Sequence, residues 1–321
     1  MASLDLLLAN LLSPVVLAFA LGVLARVVRS DLEFPAPLYD ALSIYLLLAI
    51  GLKGGAELSV TPLLEFAAPA GLTLALGVVT PLIAYGILRK LGRFDRTNAA
   101  AVAAHYGSVS AVTFIAATAF AQRAGLAPEG FMPALVALLE VPAIVVALMI
   151  AHVRSGAAGT WGEALHEIMA GRSVVLLLGG LAIGWLAGKE GIAPVAPFFV
   201  EGFQGALTLF LLEMGMAAAA RLRDLRRVGV FLVIFGVVLP ILHGALAIWL
   251  GGLVGLSPGG SAVFGAMVSS ASYIAAPAAV RIALPQASPT LYLTASLGIT
   301  FPFNLTLGIP LYYDLAIRLA G

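Results

Sequence analysis

Two stretches of this chain concentrate hydroxyl side chains beside residues that loosen a helix. One reads Gly107-Ser108-Val109-Ser110-Ala111-Val112-Thr113. The other reads Ser269-Ser270-Ala271-Ser272-Tyr273, with Pro277 four residues on. Both lie in apolar surroundings, where an unpaired polar group is costly, so these side chains must face protein or water. Gly and Pro interrupt the backbone ladder and allow a helix to break. A broken helix offers free N–H groups and a positive dipole end where its second half begins, and such an end binds anions. Two such breaks meeting near the middle of a membrane would make a site for a small, hydrogen-bonding anion. Ser108, Ser110, Thr113, Ser269, Ser270 and Ser272 are the candidate ligands. Tyr273 would close the pocket and can add its own hydroxyl. The competing use of Ser and Thr in apolar helices is local, either close packing or a bond to the i−4 carbonyl. Six such residues in matched positions favour the site.

Acidic residues inside apolar segments are few. Glu140, just before Pro142, follows the first hydroxyl cluster. A carboxylate at membrane depth marks a cation ligand, a proton carrier or a partner for Arg. The position corresponding to Glu140 late in the chain falls near Thr300, with Asn304 one turn on, and oxygens of this kind suit Na⁺. Glu213 reads instead as the partner of a donor on a neighbouring helix. Lys53 and Arg123 read as end residues that reach toward the membrane surface, and Arg281 as a topological charge. His105 and His243 lack a second ligand at metal spacing and read as packed, hydrogen-bonded histidines. The sequence has no phosphate-binding glycine loop, no H-E-x-x-H and no G-x-S-x-G, so neither an enzyme nor an ATP-driven pump is expected.

The elements that must hold these residues are membrane helices. Of 321 residues, 61% are hydrophobic and 10% charged, with mean hydropathy +1.07; soluble domains carry about 25% charged residues. The net charge of +1 speaks against a nucleic-acid partner, and the lack of cysteine excludes disulfides and thiolate metal sites. Ten apolar segments of membrane length can be drawn, near 11–28, 38–57, 63–91, 98–121, 130–153, 172–189, 198–221, 228–255, 258–283 and 288–317. The N-terminal segment lacks a basic start and a cleavage site, and reads as a retained helix. Threading the chain through these spans puts thirteen of the seventeen Lys and Arg residues on one side. The other side keeps only Lys53, Arg123, Lys189 and Arg318. The positive-inside rule makes the basic side cytoplasmic, with both termini outside a bacterial inner membrane.

The chain also repeats itself. Gly77-Val78-Val79-Thr80-Pro81 returns as Gly236-Val237-Val238-Leu239-Pro240, and Ser110 to Ala117 as Ser269 to Ala276, both 159 positions later. Ala20 to Ala25 matches Ala182 to Ala187, and Pro142 matches Pro302. Repeated membrane halves are a common plan for secondary transporters. Five helices per half is an odd number, so the second copy must be inverted. The expected organisation is a five-helix repeat at 1–153, a cytoplasmic connecting loop at 154–171 and an inverted five-helix repeat at 172–321.

Several motifs carry a resemblance: Ile50-Gly51-Leu52-Lys53-Gly54-Gly55, Gly107 to Thr113, Glu140-Val141-Pro142-Ala143, Pro240-Ile241-Leu242-His243-Gly244, Ser269 to Pro277, Arg281 and Ile309-Pro310-Leu311. Over nearly its whole length the chain resembles the sodium-dependent bicarbonate transporters of the cyanobacterial SbtA type. That resemblance implies an all-α membrane protein with ten spans in inverted repeats, a scaffold and a mobile core, elevator-type transport and a homotrimer. It also implies Na⁺-coupled bicarbonate uptake at the crossing of helices four and nine, and regulation by a PII-type protein. The chain departs from the family pattern at the site. Ser270-Ala271-Ser272-Tyr273 stands where Ser-Ser-Ser-Asp is usual, and Ser110-Ala111-Val112-Thr113 where Ser-Gly-Ser-Thr is usual. Glu140 replaces an Asp. The missing Asp weakens a Na⁺ site, and the short loop between the halves speaks against a PII-type partner. Transport of a larger organic anion, as in bile-acid-type carriers, proton coupling through Glu140, and a sensor that no longer transports are the alternatives.

Overall fold

The computed structural model describes residues 3–152, 166 and 169–320. The connecting loop expected at 154–171, with Arg154, lies almost wholly outside them. The regular elements among the described residues are helices: α1 Ser3–Leu11, α2 Pro14–Val27, α3 Ala36–Leu58, α4 Leu63–Lys90, α5 Arg96–Gly107, α6 Ala111–Arg123, α7 Met132–His152, α8 Arg172–Ile192, α9 Phe203–Arg221, α10 Leu225–Leu253, α11 Pro258–Val268 and α12 Ala275–Ala283. A last helical run at 289–320 is interrupted by π-helical turns at Thr294–Thr300 and Asn304–Gly308. Six segments, Arg96–Arg123 counted as one, are long and apolar enough to cross a membrane. A seventh is added if Asp5–Leu11 and Pro14–Val27, bent by 57°, form one span. The chain is thus a multi-pass, all-helical membrane protein.

Local chemistry sets where these helices begin. Ser13 caps α2 by accepting from the Val16 amide at 3.3 Å, with Pro14 at the first position. Asp95 caps α5 by accepting from the Asn98 amide at 2.9 Å. Ser257 caps α11 by accepting from the Gly260 amide at 3.0 Å, again with proline next. Each cap satisfies an amide that the helix itself leaves open.

The helices fall into two groups. In the first, α2 packs on α9 and α3 on α8. Glycine brings these backbones together: a Cβ on Gly22 would sit 1.9 Å from the Leu212 carbonyl oxygen, and one on Gly215 would sit 2.0 Å from that of Phe19. The α3–α8 pair repeats the arrangement: a Cβ on Gly184 would sit 2.2 Å from the Leu52 carbonyl oxygen, and one on Gly55 would sit 2.1 Å from that of Leu181. Gly22 and Gly184 are 162 positions apart and Gly55 and Gly215 are 160 apart, so the same contact occurs twice with the halves exchanged. Small residues allow such approach in a membrane, where apolar burial does not drive helices together. Partly exposed ion pairs join like ends of α3 and α8, which run parallel, Arg172 with Asp40 at 2.5 Å and Lys189 with Glu57 at 2.9 Å. In the second group α4 packs on α5 and α7, and α10 packs on α11 and the π-interrupted run. This group contains both hydroxyl clusters, and every residue from Ala99 to Gly107 is buried.

Candidate anion site at two helix breaks

Each hydroxyl cluster lies at a break. After Gly107 the backbone becomes extended at Ser108 (ψ 167°) and Ser110 (ψ 107°), and α6 starts anew at Ala111. The second break runs from Ser269 to Ile274, between α11 and α12. The breaks touch through hydrogen bonds between segments about half the chain apart. The Ser110 amide donates to Ser270 Oγ at 2.8 Å, and the Ser272 amide donates to the His105 carbonyl at 2.8 Å. These bonds satisfy backbone groups that both helices give up where they break.

The candidate ligands separate by what their hydroxyl hydrogens already do. An anion needs donors, so a hydroxyl whose hydrogen is engaged cannot serve it without losing a bond. Ser269 donates to the Ala266 carbonyl at 3.0 Å, Ser270 to the Met267 carbonyl at 2.7 Å and Ser108 to the Glu140 carbonyl at 3.3 Å. Among the described residues Ser110 Oγ only accepts, from the Thr113 amide at 3.2 Å, and Ser272 Oγ only accepts, from the Ala276 amide at 3.3 Å. Both hydrogens remain available. Thr113 Oγ1 and the Tyr273 hydroxyl are buried without a hydrogen-bond partner among the described residues. Tyr273 lies with the Ser110 side chain beside it and packs its ring on Phe301, centroids 5.1 Å apart.

Three of these four hydroxyls converge. Ser110, Ser272, Tyr273 and Glu140 line one small cavity, together with Leu47 of α3 and Ser173 of α8. Thr113, Ser108, Ser269 and Ser270 do not line it. Its free volume of about 10 Å³ is room for about one water molecule. Glu140 is 3% exposed and has no ion pair among the described residues. The first amides of α6 precede its first intrahelical bond, from the Phe114 amide to the Ser110 carbonyl at 3.0 Å, so the positive end of that helix is at the same place.

Thr300 and Asn304 are not brought to Glu140 in this cavity. The Thr300 hydroxyl donates to the Gly236 carbonyl at 2.7 Å, so the 2.7 Å contact with Tyr106 is donated by the Tyr106 hydroxyl. Asn304 donates to the Ser269 carbonyl at 3.2 Å and accepts from the Tyr312 hydroxyl at 3.0 Å. Both act as braces behind the second break. His105 donates from Nδ1 to the Ala101 carbonyl at 2.7 Å and stacks on Tyr292, matching the expectation of a packed histidine. Arg26 of α2 is the charged neighbour of Glu213, beyond ion-pair distance. Ser173 and Leu47 went unread in the sequence, because an isolated Ser or Leu in an apolar segment carries no periodic or motif signal.

Broken helices that cross inside an apolar bundle, with hydroxyl donors at the crossing, define the class as a membrane transporter. The chain matches the Na⁺-dependent bicarbonate transporter superfamily over residues 14–317 and belongs to that family. No curated protein matches it.

Proposed function

We propose that this protein is a secondary transporter that carries bicarbonate together with Na⁺ across the bacterial inner membrane. Its ten crossings would form two inverted five-helix repeats, at 1–153 and 172–321, with both termini outside. The doubled glycine contact of α2 with α9 and α3 with α8 supports the inverted repeat, as does the pair of breaks. The observation that carries the functional reading is the shared cavity of Ser110, Ser272, Tyr273 and Glu140. Two hydroxyl hydrogens held by serines, a free phenol and a helix N-terminus replace water around an anion. Ser108, Ser269 and Ser270 hold the breaks in shape, and Thr113 donates its amide to Ser110 Oγ at the start of α6.

The cavity is too small for bicarbonate as it stands. Two of its walls, Leu47 and Ser173, belong to the first helix group and the remainder to the second. Displacement of the second group against the first opens the cavity without disturbing the bonds between the breaks. That is the basis for an elevator movement, with α2, α3, α8 and α9 as scaffold. A homotrimer is the assembly that family membership suggests for such a scaffold.

Glu140 favours one further point. A carboxylate and a bound anion in one buried cavity repel unless a cation or a proton accompanies them. Na⁺ beside Glu140 meets that need, and protonation of Glu140 is the second reading. Uptake of labelled bicarbonate into proteoliposomes tests both. Accumulation driven by an inward Na⁺ gradient supports Na⁺ coupling. Accumulation driven only by a proton gradient transfers the role to a proton. No accumulation under either gradient overturns bicarbonate transport.

A further inference from the structure

A second, larger cavity of about 500 Å³ lies between the two helix groups, toward the end of α3 that carries Lys53. The hydroxyl sites and the fold do not account for it. Its walls come from α3, α6, the start of α7 and the segment leading into α9. Ile50 and Phe114 form part of its lining, while Leu47 and Ala111 line the anion cavity. Each pair is separated by three residues on its own helix, a rise of about 4.5 Å at 1.5 Å per residue. The large cavity therefore ends about one helical turn from the small one, along two helices at once.

Its charge is set by three residues. Glu57 is paired with Lys189 at 2.9 Å. Glu129 gives one carboxylate oxygen to the Ser257 amide at 2.6 Å, at the start of α11, where its charge meets the positive helix end. Lys53 lines the cavity, is exposed, and makes no ion pair among the described residues. The other Glu129 oxygen is buried without a partner among the described residues, so that carboxylate is offset only by the helix end, and Lys53 is the exposed cation facing this space. A cleft with low-dielectric walls and one such charge raises the local concentration of the opposite charge.

We propose that this cavity is the entry vestibule for the anion, that Lys53 collects the anion there, and that Ile50 and Phe114 form the barrier to the site below. The assignment of anion cargo rests on the function proposed above, and the test separates the two. The chain has no cysteine, so Gln122→Cys, on an exposed lining residue, gives a single reactive thiol in the vestibule. Its labelling is timed with small anionic and cationic methanethiosulfonates and read by mass. The anionic reagent is expected to react faster. Lys53→Gln lowers the anionic-to-cationic rate ratio by about fivefold, the effect of one nearby charge in a wet cleft, and Lys53→Arg preserves it. A ratio unchanged by Lys53→Gln overturns the role of Lys53. In proteoliposomes, Lys53→Gln raises the KM for bicarbonate with the maximal rate nearly unchanged, as loss of a collecting charge requires. Labelling of Gln122→Cys with a bulky maleimide slows uptake, and unimpeded uptake after complete labelling overturns the entry route. The rate ratio does not depend on transport. A preserved ratio in a protein that fails to take up bicarbonate counts against the cargo and not against anion collection.

Discussion

Ser270→Ala and Ser272→Ala separate a residue that builds the site from one that binds in it. Ser270 Oγ accepts from the buried Ser110 amide at 2.8 Å and donates to the Met267 carbonyl at 2.7 Å. The Met267 carbonyl keeps a second donor, the Ser270 amide at 3.2 Å. Removing the hydroxyl therefore orphans one group, the Ser110 amide, at a cost of about 1–3 kcal/mol. The unfolding temperature of purified Ser270→Ala should fall by several degrees, at roughly 2–4 °C per kcal/mol for a chain of this order of size. Its affinity for bicarbonate should change by less than about threefold if the breaks stay together, since the hydrogen of Ser270 already serves Met267. Ser272→Ala removes a hydrogen that is free to meet the anion. A hydrogen bond to a charged group contributes about 1.5–3 kcal/mol, so affinity should fall about tenfold or more. Thermal unfolding titrated with bicarbonate reads both numbers in one experiment. A Ser270→Ala protein with unchanged unfolding temperature and no response to bicarbonate would refute the division of hydroxyls by their bonds.

Three further outcomes follow from the geometry. Tyr273→Phe removes a buried hydroxyl that has no partner among the described residues, so unfolding temperature should hold or rise slightly while bicarbonate affinity drops; both are read in the same titration. Gly184→Leu forces a side chain into the Leu52 carbonyl, where even a Cβ would sit 2.2 Å away. A loss at or above the upper end of the usual 1–3 kcal/mol for overpacking is expected, seen as loss of the monodisperse peak in size-exclusion chromatography. At Asp95, burial alone would raise the carboxyl, but hydrogen bonds from the Asn98 amide and side chain outweigh it and hold the group below the usual range. A depressed folded value means the stabilisation is complete above the unfolded value of about 3.9 and is lost as pH falls through the folded one. Asp95→Ala should cost about 1 kcal/mol at neutral pH as a lost helix cap, and the difference in unfolding temperature should shrink below about pH 4.

The positions of the breaks were legible because Gly, Ser and Pro act locally on a helix, and Gly107 and the serines around it mark the spot without knowledge of partners. The glycine contacts were half legible. Gly22 and Gly184 stand out as a repeated pair, but that each meets the helix carrying the other glycine pair depends on how α2, α3, α8 and α9 assemble. The division among the hydroxyls was not legible. The hydrogen of Ser108 goes to the Glu140 carbonyl, 32 positions away, and those of Ser269 and Ser270 go to carbonyls three residues back, and no pattern of residue types sets these three apart from Ser110 and Ser272. Proximity in sequence to the breaks therefore grouped Ser108, Ser269 and Ser270 with Ser110 and Ser272. Thr300 and Asn304 looked like ion ligands because they carry oxygens at membrane depth. Their oxygens meet Gly236, Tyr106 and Tyr312 instead, and no pattern within the last helix announces those neighbours. Glu129 is similar: it lies near the start of α7 in the chain and serves the start of α11 in space.

The central claim is that an anion binds where Ser110, Ser272 and Tyr273 meet above Glu140. The most direct test is an electron cryomicroscopy structure of the purified protein in sodium bicarbonate, compared with one in sodium gluconate. The account predicts anion density within hydrogen-bond distance of the Ser110 and Ser272 hydroxyls and of the first amides of α6, in a cavity wider than the present one. Anion density centred on Ser269 and Ser270 instead, or a cavity that stays closed at saturating bicarbonate, would contradict it.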